Sequence, residues 1–326
     1  MNPFEQDDRR FKMTIRSHEL FRKGELQKRA KHAQTILRAC DLCPRDCGIN
    51  RQEGEHGICA TGRYAQVASY GAHFGEEQPL TGTHGSGTIF FASCNLRCCF
   101  CQNYELSHFP GNFSETQPEQ LAAIMLELQQ KRCHNINLVS PSHVVPQIFD
   151  ALVIALERGL KIPIVYNSSG YEAEDTLALL DGVIDIYMPD FKFWQPESSK
   201  KYCDAEDYPD IAKDALLTMY NQVGDLVVDD HGIATRGLLV RHLVMPGGGL
   251  ETKTILEFIA NSISAQTYVN IMDQYRPCGT CDQHEELRKP LGNDEYREAI
   301  LFAKQAGLER LDQMDIKTLL VKLGIL

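Results

Sequence analysis

The chain lacks three features that mark large functional classes. It has no excess of basic residues: 33 Lys and Arg stand against 44 Asp and Glu, a formal net charge of −11. A nonspecific nucleic-acid binder or an anionic-membrane binder needs a positive surface field, so neither kind of partner is expected. No apolar run reaches the length of a transmembrane helix, and no internal repeat or low-complexity segment is present.

The pattern of a secretory leader is also missing. The N-terminal region is highly charged and contains no apolar core segment. The 12 cysteines of a chain without an export signal are expected to be metal ligands rather than disulfides. We therefore expect a cytoplasmic protein, long enough for one large core with appended segments.

What the sequence does contain is a dense cysteine motif, Cys94-Asn-Leu-Arg-Cys98-Cys99-Phe-Cys101. The spacing C-x3-C-x2-C offers three thiolates, whereas iron–sulfur clusters are normally closed by four. A [4Fe–4S] cluster held by Cys94, Cys98 and Cys101 keeps one iron open to a ligand that is not protein, and chemistry can take place there. If Cys99 took the place of Cys98, the ligands would be spaced C-x4-C-x1-C, which packs three thiolates poorly, so Cys99 is not assigned as a ligand. The alternatives are a zinc knuckle and reduced core thiols.

A second cysteine group, here called the N-terminal cysteine group, consists of Cys40, Cys43, Cys47 and Cys59 on glycine-rich turns. Four thiolates are enough for a closed tetrahedral site, so structural zinc is the first expectation. An auxiliary iron–sulfur cluster is the second, and uncoordinated thiols are the third. In each metal-bound case the protein supplies all the ligands, so this site would hold structure or carry electrons.

Strand and helix patterns alternate from residue 86 onward and predict an α/β fold. Six strands joined by crossover helices indicate a parallel sheet, and six units are too few to close an eightfold barrel. The expected fold is a partial (β/α)6 TIM-like barrel with a small cysteine-rich N-terminal extension and a helical C-terminal tail. The strands are predicted at 86–93, 135–140, 162–167, 183–188, 237–244 and 267–272, the helices near 117–132, 145–158, 173–180, 208–223 and 251–263, and a hairpin over Val227–Ala234.

Three parts are expected along the chain. Residues 1–80 form the N-terminal extension, with a helix over about 18–39 and the N-terminal cysteine group. Residues 81–276 form the barrel, and residues 277–326 form a C-terminal extension.

The C-terminal extension carries two predictions and one open question. Asn293 is predicted to cap a helix over 294–306, and the apolar stretch 313–326 is expected to dock on the barrel. Three roles are open to the pair Cys278-Gly-Thr-Cys281: a redox dithiol, half of a metal site, or two loop thiols without a function. The last is favoured.

The motif C-x3-C-x-aromatic-C resembles the signature of radical S-adenosylmethionine (SAM) enzymes. The sequence segments around it resemble those of the PflX-type branch, relatives of the pyruvate formate-lyase activating enzymes, and the match runs from about residue 40 to about residue 276. The segments that carry the resemblance are 73–77, 85–91, 101–103, 135–139, 165–171, 185–192 and 241–247.

The resemblance implies an oxidoreductase with a [4Fe–4S] cluster and SAM as cofactors. The cluster cleaves SAM reductively, and the resulting 5′-deoxyadenosyl radical abstracts hydrogen from a substrate. A backbone glycine of a partner enzyme is the target that activases suggest, and a small molecule or another peptide is the alternative. A flavodoxin- or ferredoxin-like protein is the expected electron donor. The alternative from a different class of function is a non-catalytic protein, an iron–sulfur or zinc scaffold or sensor.

Polar residues at the carboxyl ends of the strands are expected to orient SAM. The resemblance adds an Asp-x-Lys element on the fourth strand and an Arg-His element on the fifth. A Gly-Gly-Glu element usual in the activating enzymes is replaced here by Val139-Ser-Pro-Ser-His143, so contacts to the SAM amine must come from other groups. The predicted contacts are Ser140, Ser142 and His143, Asn167 and Ser168, Asp190 and Lys192, Arg241 and His242, and Gln274.

Two of these residues have simpler roles open to them. Lys192 and Asp190 would satisfy each other as an ion pair inside the barrel. His143 would cap the helix that follows it.

Overall fold

The computed structural model describes residues 15–109, 111 and 113–312, so the predicted docking of 313–326 lies outside the described residues. A nine-stranded sheet forms the centre of the molecule. Its strands are β1 Ala65–His73, β2 Ser86–Phe91, β3 Glu115–Thr116, β4 Ile136–Val139, β5 Ile164–Ser168, β6 Ile186–Pro189, β7 Val227–Val228, β8 Ala234–Leu243 and β9 Tyr268–Met272.

Six of these strands form the predicted parallel sheet. β2, β4, β5, β6, β8 and β9 pair in parallel in that order, and each overlaps its predicted range. β9 pairs with β8 and has one parallel bridge on its other side, Val269 with Leu311. In the described part of the chain no strand pairing joins β9 to the opposite end of the sheet, so the sheet stays open. The prediction of a partial (β/α)6 barrel is confirmed.

The antiparallel strands were predicted only in part. β7 pairs with the start of β8, as Val227 with Arg236, and forms the expected hairpin. The prediction did not include β1, which runs antiparallel to β2 and pairs His73 with Ser86. Small and polar residues dominate the strand Ala65–His73, so it lacks the apolar run by which the other strands were found.

Helices cover the connections between the strands, and all five helices predicted there are present. None of the helices in the described residues combines the length and apolarity needed to cross a bilayer. The last of the five, α10, continues as one π-helical turn over Ile259–Ile263. The helices are α1 Arg16–Arg22, α2 Glu25–Ile36, α3 Gln78–Thr81, α4 Tyr104–His108, α5 Pro118–Gln130, α6 Val145–Glu157, α7 Glu174–Leu180, α8 Pro196–Cys203, α9 Tyr208–Val223, α10 Gly249–Phe258 and α11 Asn293–Ala306.

Two helix predictions at the flanks were wrong in detail. The single helix expected over 18–39 is two helices, because Gly24 adopts a left-handed φ of 71° that a helix cannot continue through. Asn293 does not cap α11 but is its first residue, and Gly292 precedes it. There the Glu295 carboxylate accepts the Gly292 N–H at 2.9 Å and satisfies the free donor at the helix start.

The segment between β1 and β2 closes the amino end of the barrel. Leu80 of α3 is fully buried and packs in one cluster with Val165, Ile186, Met188 and Leu239 from three parallel strands. Asn135 Nδ2 donates to the Leu80 carbonyl at 2.9 Å and ties this apolar floor to the start of β4.

Gly237 of β8 offers a test of how tightly this sheet is packed. Its φ is 122°, and an added Cβ would lie 2.3 Å from the Asp225 carbonyl oxygen. We expect Gly237→Ala to lower the free energy of unfolding by about 1–3 kcal/mol, because it combines backbone strain with a clash. Urea denaturation measures the change.

Gly71→Ala in β1 is the matched control, since no described atom lies within 4 Å of a Cβ there. The φ of Gly71 is also not positive, so the backbone there suits any residue. It should alter the stability by less than about 1 kcal/mol. Equal losses in the two variants would contradict the packing described for β8.

Candidate functional site

The cysteine loop, residues 94–101, begins just past the carboxyl end of β2. Two residues in left-handed conformations shape the chain here, Ser93 with φ 76° and Arg97 with φ 54°. The Ser93 N–H donates to the Leu106 carbonyl at 2.7 Å, and the Cys101 N–H donates to the Cys98 carbonyl at 3.2 Å. The loop thus starts at the edge of the parallel sheet where barrel enzymes place their sites.

The structure brings the three predicted cluster ligands together. Burial, and then the neighbouring Cys98 and Cys101, raise the pKa of the Cys94 thiol to about 12. The Leu96 N–H also lies 3.4 Å from Cys94 Sγ, a donor of the kind that stabilises a cluster thiolate. Three soft sulfur donors on one loop fit an iron–sulfur cluster. In residues 15–109, 111 and 113–312, no three Cys, His, Asp or Glu side chains are already arranged to hold a metal ion, so ligation requires the thiols to rotate.

Arg45, which lies between two members of the N-terminal cysteine group, holds the cysteine loop in place. Its Nε donates to the Asn95 carbonyl at 2.9 Å, and its Nη2 donates to the Leu96 carbonyl at 3.2 Å. The same guanidinium donates to the carbonyls of Cys203 and Asp204 at the end of α8. One guanidinium therefore joins three separate segments of the chain.

The pair after β9 packs against the other side of the cysteine loop. The Thr280 N–H donates to the Cys99 carbonyl at 2.9 Å, and Cys278 Sγ donates to the Phe100 carbonyl at 3.1 Å. Burial mainly, and then the nearby Cys281 thiol, raise the pKa of the Cys99 thiol to about 12. Sequence spacing could not show this, because the contact joins residues far apart in the chain.

Four of the predicted SAM contacts converge inside the barrel, and we call them the interior ion network: Asn167, Asp190, Lys192 and Arg241. Lys192 Nζ forms an ion pair with Asp190 Oδ2. Arg241 Nε donates to Asp190 Oδ1 at 2.7 Å, and its Nη2 donates to Asn167 Oδ1 at 2.7 Å. The ion pair that the sequence left open as a simpler role for Lys192 is therefore present.

Charge inside the barrel is balanced around Asp190. Burial alone would raise the pKa of Asp190, but Arg241 and Lys192 outweigh it and hold the pKa below its usual value. For Lys192, burial is likewise outweighed, by Asp190 and then by Cys98, and the pKa is raised. Because Cys98 acts on Lys192, the network reaches the cysteine loop.

Two acidic residues that the sequence left without a role, Glu76 and Glu77, extend this network. Glu76 Oε2 lies 3.9 Å from Arg241 Nη1, and Glu77 Oε1 accepts from Asn270 Nδ2 at 2.8 Å. Burial raises the pKa of Glu77 to about 7. Both residues belong to segment 73–77, which carries the family resemblance. Their position near Arg241 depends on β1, which was not predicted.

Ser142 and Ser168 belong to a different cluster, centred on Glu172. Ser142 Oγ donates to Glu172 Oε1 at 2.6 Å, and the Tyr166 hydroxyl donates to Oε2 at 2.9 Å. Ser168 also hydrogen-bonds to this carboxyl, whose pKa burial raises to about 7. Ser140 lies beside the interior ion network and donates its N–H to the Asn167 carbonyl at 2.9 Å.

The structure places the remaining predicted contacts away from the interior ion network. His143 Nε2 donates to the Ala92 carbonyl at 2.9 Å, so the ring does not cap α6. His242 Nε2 bonds to Thr252 Oγ1 at 2.9 Å, on the side covered by α10. Gln274 accepts the Gln102 amide through its backbone carbonyl at 2.7 Å.

Comparison with known proteins gives the family. The sequence model of the Radical SAM superfamily matches residues 88–259. The uncharacterized protein MJ0674 of Methanocaldococcus jannaschii is 30% identical over 286 residues, which are 85% of this chain and 78% of that protein. The uncharacterized protein MJ0808 of the same organism is 28% identical over 236 residues, 65% of this chain and 68% of that protein. The chain belongs to the radical SAM superfamily, whose cofactors are a [4Fe–4S] cluster and SAM.

A solved structure described as native anSMEcpe with bound AdoMet is similar at 10% identity and a TM-score of 0.45. The alignment covers 66% of this chain and 57% of that chain, so this protein spans little more than half of its length.

Asp190→Asn tests the interior ion network. The substitution leaves the largely buried Lys192 and Arg241 without the carboxylate of Asp190, so we expect the free energy of unfolding to fall by about 3–5 kcal/mol. Asp210→Asn removes an exposed partner of Lys213 and should cost no more than about 1 kcal/mol. Urea denaturation measures both variants. A loss of stability in Asp190→Asn no larger than that in Asp210→Asn would contradict the network.

Glu172→Gln tests the cluster around Glu172 through pH. The pKa of Glu172 is about 7 in the folded protein against 4.5 for the free side chain. Its contribution to stability is therefore fully present below pH 4.5 and lost as the pH rises through 7. The wild-type protein should lose on the order of 3 kcal/mol more than Glu172→Gln between these limits. Exposed Glu174→Gln should keep the wild-type profile, and coincident profiles for Glu172→Gln and wild type would disprove the assignment.

Proposed function

We propose that this member of the radical SAM superfamily is an oxidoreductase of the PflX-type branch, with Cys94, Cys98 and Cys101 as ligands of its [4Fe–4S] cluster. The observation that carries the proposal is the convergence of two features. The cysteine loop follows the first parallel strand, and Lys192 of the interior ion network lies close enough to Cys98 to be affected by its charge. Residues 81–276 would carry the activity, between the N-terminal extension 1–80 and the C-terminal extension 277–326.

The interior ion network supplies the groups that would orient SAM. Lys192 and Arg241 offer cationic donors for a carboxylate, and Asn167 offers an amide for hydroxyl groups. Asp190 fixes both cations in position and keeps them charged, since it accepts from each of them. When bound, the reduced cluster supplies the electron that cleaves the sulfonium bond of SAM, giving methionine and a 5′-deoxyadenosyl radical.

The barrel protects that reaction from water at its amino end. Leu80 closes this end with the apolar floor described above, and the cysteine loop lies at the opposite, carboxyl end. Exclusion of water prevents side reactions of a reactive radical.

The proposed reaction is abstraction of hydrogen from a substrate. Resemblance to activating enzymes supports a backbone glycine of a partner enzyme as the substrate. An open six-unit barrel, which can admit a peptide loop from the side, also fits such a substrate. A small molecule or another peptide is the alternative substrate. A flavodoxin- or ferredoxin-like protein would deliver the electron.

Formation of 5′-deoxyadenosine from SAM tests the proposal. After anaerobic reconstitution with iron and sulfide and chemical reduction, the wild-type protein should release 5′-deoxyadenosine, measured by liquid chromatography and mass spectrometry. Cys98→Ala should reduce the yield to background because the cluster loses a ligand.

Cys133→Ala is the matched control, since Cys133 is a buried thiol just after α5 and has no part in the site. It should keep the wild-type yield. If reconstituted wild-type protein gave no more product than Cys98→Ala, the enzyme proposal would fail and the scaffold alternative would take its place.

A further inference from the structure

The N-terminal cysteine group surrounds a single small cavity. All four thiol-bearing residues line it, and its volume is about 10 Å³. The Cys43 thiol interacts with those of Cys40 and Cys59. Cys47 lies against Gly57 so closely that a Cβ on that glycine would be 2.7 Å from Cys47 Sγ. Two neighbouring turns of the chain, at residues 40–47 and 57–59, therefore bring four sulfur donors around one cavity.

The same cavity is bordered by a buried guanidinium that has no carboxylate partner among the described residues. Arg51 is only 1% exposed, yet its recorded acceptors are neutral. Nε donates to the Gly62 carbonyl at 3.1 Å, and Nη1 donates to the His143 carbonyl at 2.9 Å and to Cys40 Sγ at 3.8 Å. Arg51 Nη2 has no acceptor among the described residues.

His143 adds a second unsatisfied group at this place. The residue lines the cavity, and its Nε2 is engaged with the Ala92 carbonyl. Its Nδ1 is buried and has no partner in the described part of the chain. An uncompensated buried cation and an unpaired polar atom are each costly, and both lie beside thiols that become anionic when they bind a metal.

We propose that Cys40, Cys43, Cys47 and Cys59 bind one zinc ion, and that Arg51 is the counter-ion of this site. Binding of Zn²⁺ by four thiols releases four protons to solvent and leaves a tetrathiolate complex of net charge −2. That charge gives Arg51 the anion it otherwise lacks. The thiols rotate inward to complete the site.

The form of the cavity suits a single ion. Its volume of about 10 Å³ is room for roughly one water-sized sphere. A tetrahedral zinc ion with Zn–S bonds of about 2.3 Å needs only the centre of the cavity.

Zinc at this point would also act on the cysteine loop. Arg45 lies between Cys43 and Cys47 and donates to the carbonyls of Asn95 and Leu96. A metal that fixes the two cysteines fixes Arg45 between them. The zinc site is therefore a structural support for the cysteine loop, and it exists whether or not the protein cleaves SAM.

Metal analysis tests the proposal without any assay of activity. A full-length variant with Cys94, Cys98 and Cys101 replaced by Ala cannot hold the first cluster, so remaining metal belongs to the N-terminal cysteine group. We expect about one zinc per chain by plasma mass spectrometry, and four Zn–S distances of about 2.3 Å by X-ray absorption. Further replacement of Cys43 and Cys59 by Ser should remove the zinc, whereas Cys133→Ser should retain it.

Three results would overturn the proposal: about four irons and four sulfides per chain in that variant, no metal above the level of the Cys43→Ser, Cys59→Ser variant, or a Zn–N distance of about 2.0 Å. The last would make His143 a ligand in place of one cysteine. The absorption spectrum of the wild-type zinc site decides this even where the cysteine variants fail to fold.

Arg51 provides the second arm of the test. Arg51→Met should weaken zinc binding by about 10–100-fold in competition with a chelator, as loss of a supporting residue beside a metal site does. Arg51→Lys keeps the charge and should recover part of the affinity. Arg38→Met is the control, because the side chain of exposed Arg38 donates to Gln52 and forms no ion pair within the described residues. Unchanged affinity in Arg51→Met would show that Arg51 is not the counter-ion.

Discussion

The carboxylate of Asp190 is the point on which the interior of the barrel depends. It follows β6 and accepts from Arg241 of β8 and from Lys192, so one buried anion holds two largely buried cations. Each of these charges would be strongly unfavourable alone in a medium of low polarity. Because the three compensate one another, the barrel can keep charged donors beside the cysteine loop.

The fold was predictable from the sequence where burial leaves a plain pattern. The six parallel strands are short apolar runs covered by helices, and such runs mark buried strands in a single sequence. β1 was missed because it pairs on one side of the sheet and is rich in small and polar residues. The break at Gly24 was missed because a helical pattern continues on both of its sides.

Only part of the candidate site could be predicted, and the reason is the alternation of side chains along strands. Arg241 and His242 are neighbours, so they face opposite sides of β8, and only Arg241 reaches the interior. Asn167 and Ser168 differ in the same way. Glu76 and Glu77 could not be placed, because their approach to Arg241 depends on the reversal of the chain between β1 and β2.

The two cysteine groups are connected more closely than their separation in sequence suggests. Arg45 joins the N-terminal cysteine group to the cysteine loop, and the Cys278–Cys281 segment covers the loop from the other side. The loop is thus held by segments on both of its sides, which suits a site that must keep a cluster in one position while a cofactor binds.

The most direct test of the central claim is whether SAM binds to the cluster held by the cysteine loop. Electron–nuclear double resonance on the reduced protein, with SAM labelled with ¹⁵N in its amino group, measures this. We expect magnetic coupling between the labelled nitrogen and the cluster in the wild-type protein, and no such coupling in Cys98→Ala. Bound SAM without any coupling to a fully assembled cluster would contradict the account.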